Sequence, residues 1–156
     1  MNTPKTPQNH LEELKVSPNI KIATLWASIM FHYIYVDYFH LYMPGSLKEM
    51  LAGKVFVFNV TQGFLLTALV SMTIPALMIF LSVALPAKVN RCTNIITAAV
   101  YIPYTLSNMA GVAWIHMVFG AVVEVVLLCL IIRYAWQWPR TQTSYTTQNN
   151  NHFSSE

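Results

Sequence analysis

Charge is what this sequence has least of. Only 10% of its 156 residues are Asp, Glu, Lys or Arg, against about 25% in ordinary soluble domains. The nine basic residues do not gather into a patch, so there is no electrostatic footprint for nucleic acid. Cysteine is nearly absent. Cys92 and Cys129 form neither a CxxC pair nor a metal spacing, which excludes a disulfide framework and a thiolate metal site. Both are expected as reduced, buried thiols. Glycine-rich phosphate loops are missing, and no nucleophile motif supports Ser-His-Asp hydrolysis. No convincing internal repeat is present.

Apolar residues fill the space that charge leaves. The hydrophobic fraction is 55% and the mean hydropathy is +0.46. A membrane-spanning helix needs about 20 mostly apolar residues. Four runs approach that description: Ile20 to Tyr42, Val60 to Leu85, Cys92 to Asn108 and Val112 to Trp136. The fold expected is all-α, a polytopic membrane four-helix bundle over residues 20–138. A polar segment, 1–19, precedes it, and it lacks the short apolar core and cleavage site of a signal peptide. A low-complexity polar tail, 139–156, follows and cannot bury enough apolar surface to order itself.

Local signals punctuate the runs. Ser17 can cap the first helix, with Pro18 in its first turn. After Pro44-Gly45, Ser46 and Glu49 match the capping box, which predicts a short helix in the outer loop, ended by Gly53. Leu47, Met50 and Leu51 share its apolar face, to lie against lipid or the bundle. Residues 107–111 form a tight hairpin between the last two runs. Pro75 and Pro103 each interrupt a helix and remove a backbone donor.

Sidedness follows from the basic residues. Four crossings put both termini and the loop near Pro86 on one side. That side holds Lys5, Lys15, Lys21, Lys88, Arg91, Arg133 and Arg140, and the other holds Lys48 and Lys54. The positive-inside rule then places both termini in the cytoplasm of a multi-pass cell-membrane protein. Tyr134, Trp136 and Trp138 at one border and Tyr42 at the other fit the aromatic belts.

Ionisable residues inside the runs are the candidates for function. With His32 set at 0° on a helical wheel, Tyr33 falls at about 100°, Asp37 at about 140° and His40 at about 80°. This polar arc should face protein. In the third run, Asn94, Thr97, Tyr101, Tyr104 and Asn108 recur at helical spacing and should turn inward too. The last run carries His116, Gly120 and Glu124, spaced by four. A charged carboxylate at mid-span costs about 3 kcal/mol, while twelve Val, Leu, Ile and Phe residues from Ile115 to Ile132 contribute roughly −4 to −7. Insertion wins, and Glu124 should be protonated or hydrogen-bonded. Gly120 lets another helix approach closely. The 1.5 Å rise sets His40 and His116 about 12 Å above the midplane, with Asp37 and Gln62 in a nearby layer. A cluster of Asp37, His40, Gln62 and His116 above Glu124 is therefore expected if the first and last runs are neighbours.

The strings ATLWASIMFHYIYVDYFHLYMPG, VTQG, IPALMIFLSVAL, KVNRCTNII and EVVLLCLIIRYAWQWP resemble a group of small bacterial integral membrane proteins catalogued only as a domain of unknown function. The resemblance runs from about Lys21 to Pro139. It implies four spans and assigns no activity. His40 departs from the pattern, which weakens any scheme that depends on it.

Three functions compete at this point. A small transporter would move a solute, proton or cation through Asp37, His40, Gln62, His116 and Glu124, with His32, Tyr33 and Tyr101 beside them. A structural or interaction subunit would use the same groups only to hold helices together. A redox protein would ligate haem or metal through His32, His40 and His116, but no second ligand motif supports this and no cofactor is expected. The expected partners are the lipid bilayer and either a second copy or a membrane protein. No nucleic acid and no specific small molecule is indicated.

Overall fold

The computed structural model describes residues 16–55, 58–109 and 114–138. Residues 1–15, the tail from 139 to 156 and the Ala110-Gly111 end of the expected hairpin lie outside the described residues. Five helices dominate: α1 (Pro18–His40), α2 (Ser46–Leu51), α3 (Gln62–Ala84), α4 (Ala87–Ser107) and α5 (Ile115–Trp136). Between α2 and α3, β1 (Lys54–Val55) and β2 (Phe58–Asn59) pair antiparallel, Lys54 opposite Asn59. This small hairpin was not anticipated.

The helix ends differ in detail from the sequence expectations. Ser17 stands at the N-cap of α1 and Pro18 opens the helix, but the serine side chain makes no capping bond. The Ser46–Glu49 capping box does not form. Gly45, at φ 91°, takes the N-cap position of α2, and the Glu49 amide donates to its carbonyl. The left-handed φ at Gly45 moves the helix start one residue earlier, so Ser46 enters the helix and its hydroxyl lies 3.4 Å from His40 Nε2. Gly53, at φ 74°, ends the turn as expected. Thr61 caps α3 by accepting from the Phe64 amide. α4 begins five residues before Cys92, because Pro86 ends one helix and starts the next without a loop.

α1 packs against both α3 and α5, and α4 packs against α5, with a lighter seam between α3 and α4. Ile22, Trp26, Ile29, Leu128 and Ile131 are fully buried at the centre. Packing is uneven along the bundle. The buried residues of α1 end at Tyr33, and those of α3 begin at Pro75. The bundle is therefore tight at the end that holds Lys21 and Arg133. It is loose at the end that holds α2.

Two helices, α3 and α5, are long and apolar enough to cross a membrane, with mean hydropathies of 2.3 and 2.7. Only 11% and 28% of their apolar windows are buried, unlike the core helix of a soluble domain. α1 and α4 match them in length at 23 and 21 residues but are less apolar. The expected four apolar runs thus reduce to two that qualify by composition. Cys92 and Cys129 are free but exposed, not buried as expected, since both sit on outward faces of their helices.

Candidate functional site

Glu124 is the one buried acidic side chain among the described residues. It sits on α5 where α1 and α4 converge. Its carboxyl interacts with the side chain of Thr105 of α4. The Thr105 hydroxyl lies 3.5 Å from the hydroxyl of Tyr33 on α1. All three residues are buried, so three helices share one polar contact within an apolar core.

Gly120 explains how the helices come so close. A β-carbon there would lie 2.9 Å from Val36 Cγ2 and 3.5 Å from His32 Nε2. The absent side chain lets α1 and α5 touch, as the spacing predicts. His32 Nε2 donates to the Gly120 carbonyl at 3.2 Å.

Toward the α2 end the site opens. Asp37 lies on the bundle-facing arc of α1 yet is exposed, because the outer half of α3 leaves it uncovered. It remains within electrostatic reach of Glu124. His40 is half-buried and interacts electrostatically with Asp37, His116 and Glu49. His116 is also half-buried, and its Nε2 has no hydrogen-bond partner among the described residues. Phe39, Tyr42, Met43, Trp114 and His116 line an open depression beside this group. Gln62 is exposed at the start of α3. His40 thus interacts with both Asp37 and His116, and Asp37 with Glu124. No group of three His, Cys, Asp or Glu side chains fit to hold a metal is present among the described residues, so the three histidines do not converge on a ligand set.

The other direction holds residues that sequence reasoning missed. Asn94 Oδ1 accepts from Trp26 Nε1 at 2.7 Å and from the Ser82 hydroxyl at 3.1 Å. Asn94 Nδ2 donates to the Asn90 carbonyl and to Asn90 Oδ1. Both lone pairs and both hydrogens of one carboxamide are satisfied. Tyr101 donates to the Ser71 carbonyl. The buried stripe of α4 is Asn90, Asn94, Ala98, Tyr101 and Thr105, not the Thr97, Tyr104 and Asn108 stripe expected beside Asn94 and Tyr101. The signal for Asn90 and Thr105 was their four-residue spacing from Asn94 and Tyr101. No local signal marked Trp26 or Ser82.

A family model describing a family of unknown function, DUF6326, matches residues 13–145. No curated protein and no solved structure matches the chain. The chain belongs to the DUF6326 family, in agreement with the resemblance read from its hydrophobic strings.

Proposed function

We propose that this protein is a multi-pass membrane protein whose α1, α3, α4 and α5 all cross the bilayer, with both termini cytoplasmic. We propose further that it moves a small solute, proton or cation through the polar cluster above Glu124. The crossing of α1 and α4 is supported by where their polarity lies. Asn90, Asn94, Tyr101 and Thr105 point inward, while Phe31, Ile34, Ile96 and Val100 face out. Hydrocarbon tolerates such helices because their polar groups find partners inside the bundle.

The observation that carries the transport reading is Glu124 itself. A buried carboxyl shared by three helices, below an exposed Asp37 and two histidines, has the layout of an intramembrane relay. Its test is flux into liposomes holding the purified chain, compared with Glu124→Gln. Uptake in the wild type and none in the variant is expected. Topology is tested with single cysteines in a background lacking Cys92 and Cys129. Lys48→Cys and Asn108→Cys should label from outside intact cells, and Lys88→Cys only after permeabilisation. If Lys88→Cys and Asn108→Cys label alike, α4 does not cross.

A structural role is favoured by one separate observation. The Trp26–Asn94–Ser82 contacts tie α1, α4 and α3 together with no charged group involved. If neither wild type nor variant supports flux and a membrane protein co-purifies in mild detergent, the chain is an interaction subunit.

A further inference from the structure

We infer that the species moved is the proton, held by Glu124 as its carboxylic acid; this rests on the transport reading above. Three features of the site point the same way.

The first is the ligand count. A Ca²⁺ ion stripped of water takes about six to eight oxygens, and Mg²⁺ about six in an octahedron. Around Glu124 stand its own carboxyl and the hydroxyls of Thr105 and Tyr33. No group of three candidate metal ligands exists among the described residues. A proton needs a single oxygen lone pair. On binding it forms one O–H bond and cancels the carboxylate charge, which removes the cost of holding that charge in an apolar core.

The second feature is space. Directly above Glu124, one helical turn away, the α1–α5 seam is filled to contact at Gly120 by Val36 and His32. A solute of several heavy atoms would have to push the two helices apart. A proton passes by exchange between hydrogen-bonding groups and needs no opening.

The third is what faces Glu124 from each neighbouring element. From α1 come Tyr33 and Asp37, and from α4 comes Thr105. Farther out, His40 and His116 interact with each other, and His40 with Asp37 and Glu49. Asp37 is exposed and Glu124 is buried, so the pair joins the open end of the bundle to its interior. In each transfer one O–H or N–H bond breaks on the donor as one O–H or N–H bond forms on the acceptor. No electron leaves either group, so no redox partner is needed.

The test uses the full chain in liposomes loaded with a pH-sensitive dye, under an imposed potassium diffusion potential. Wild-type vesicles should acidify or alkalinise with the sign of the potential, while sodium, magnesium and calcium tracers stay put. Glu124→Gln should reduce proton flux to that of empty vesicles. Glu124→Asp and Thr105→Val, which keep the carboxyl, should slow it without abolishing it. These two serve if Glu124→Gln does not purify as a folded protein. Metal-ion flux without proton flux in the wild type would overturn the inference and leave the transport reading standing. No flux of any kind in the wild type would overturn both. Proton flux at the wild-type rate in Glu124→Gln, or in both Glu124→Asp and Thr105→Val, would overturn the role given to Glu124.

Discussion

Gly120 sets the distance between α1 and α5 at the level of the polar site. A β-carbon 2.9 Å from Val36 Cγ2 cannot be accommodated without a shift. Overpacking of this kind costs about 1–3 kcal/mol. Gly120→Ala should therefore destabilise the protein by about that amount, and Val36→Ala in the same chain should recover much of it. Thermal unfolding in detergent of the two single variants and the double variant checks the pairing; additive losses would mean that Val36 is not the obstacle. Asn94 is the second residue whose loss should be felt. Its removal in Asn94→Ala leaves the Trp26 indole N–H buried without its acceptor. An orphaned buried donor costs about 1–3 kcal/mol, so a loss of about 2 kcal/mol is expected from the same melts. Glu124 and Gly120 were legible in the sequence, because their i, i+4 spacing needs no knowledge of the fold. Trp26 was not, because its partner lies 68 residues away and only tertiary packing brings the two together. Asp37 was placed on the inward arc correctly, yet it is exposed, because a helical wheel gives direction and not cover.

At the scale of elements, two prolines shape the α3–α4 seam. Pro75 has no amide hydrogen, so the Ser71 carbonyl four residues earlier loses its helical donor. Tyr101 of α4 donates to that carbonyl. The Ser82 carbonyl, in the last turn of α3 just before Pro86, also lacks a helical donor, and Asn90 Nδ2 donates there. Both of these carbonyls are met by a side chain of α4. This joins two helices whose direct packing is light. The prediction is a coupling. Tyr101→Phe should cost about 0.6–1.7 kcal/mol, from the average to the maximum measured for side-chain hydrogen bonds in a membrane protein. In a Pro75→Ala background it should cost less, since the alanine brings back the amide hydrogen that the Ser71 carbonyl lacks. A double-mutant cycle by unfolding measures the difference, and equal costs in both backgrounds would show that Tyr101 does not serve the proline. The prolines themselves were plain in the sequence. What these carbonyls bind was not, because the partner comes from another helix. The hairpin of β1 and β2 escaped notice for a different reason: two residues per strand give too short an alternation to read.

Across the whole molecule, charge is divided between the two ends. Lys21, Lys88, Arg91 and Arg133 lie at the tightly packed end. The acidic side chains of the described residues are Asp37, Glu49 and Glu124, none of them at that end. Two of the cations rest on aromatic rings there. Lys21 lies over Tyr134 at 5.6 Å and Arg91 over Trp136 at 5.3 Å. If all four long helices cross the bilayer as proposed, cations seated on these rings keep their charge at the depth of lipid headgroups. In the orientation proposed here that is the cytoplasmic leaflet, where each basic residue near an anionic surface contributes about 1 kcal/mol. The chain should therefore melt at a higher temperature in vesicles containing an anionic phospholipid than in purely zwitterionic ones. The gain should shrink as salt is raised, since exposed charges are screened over about 8 Å at physiological ionic strength. Lys21→Ala and Arg91→Ala together should remove more of it than Lys48→Ala at the opposite end, where two basic residues stand instead of four. Equal melting in both lipids would mean that these four cations do not face the headgroups, and the sidedness inferred from the basic residues would lose its physical basis.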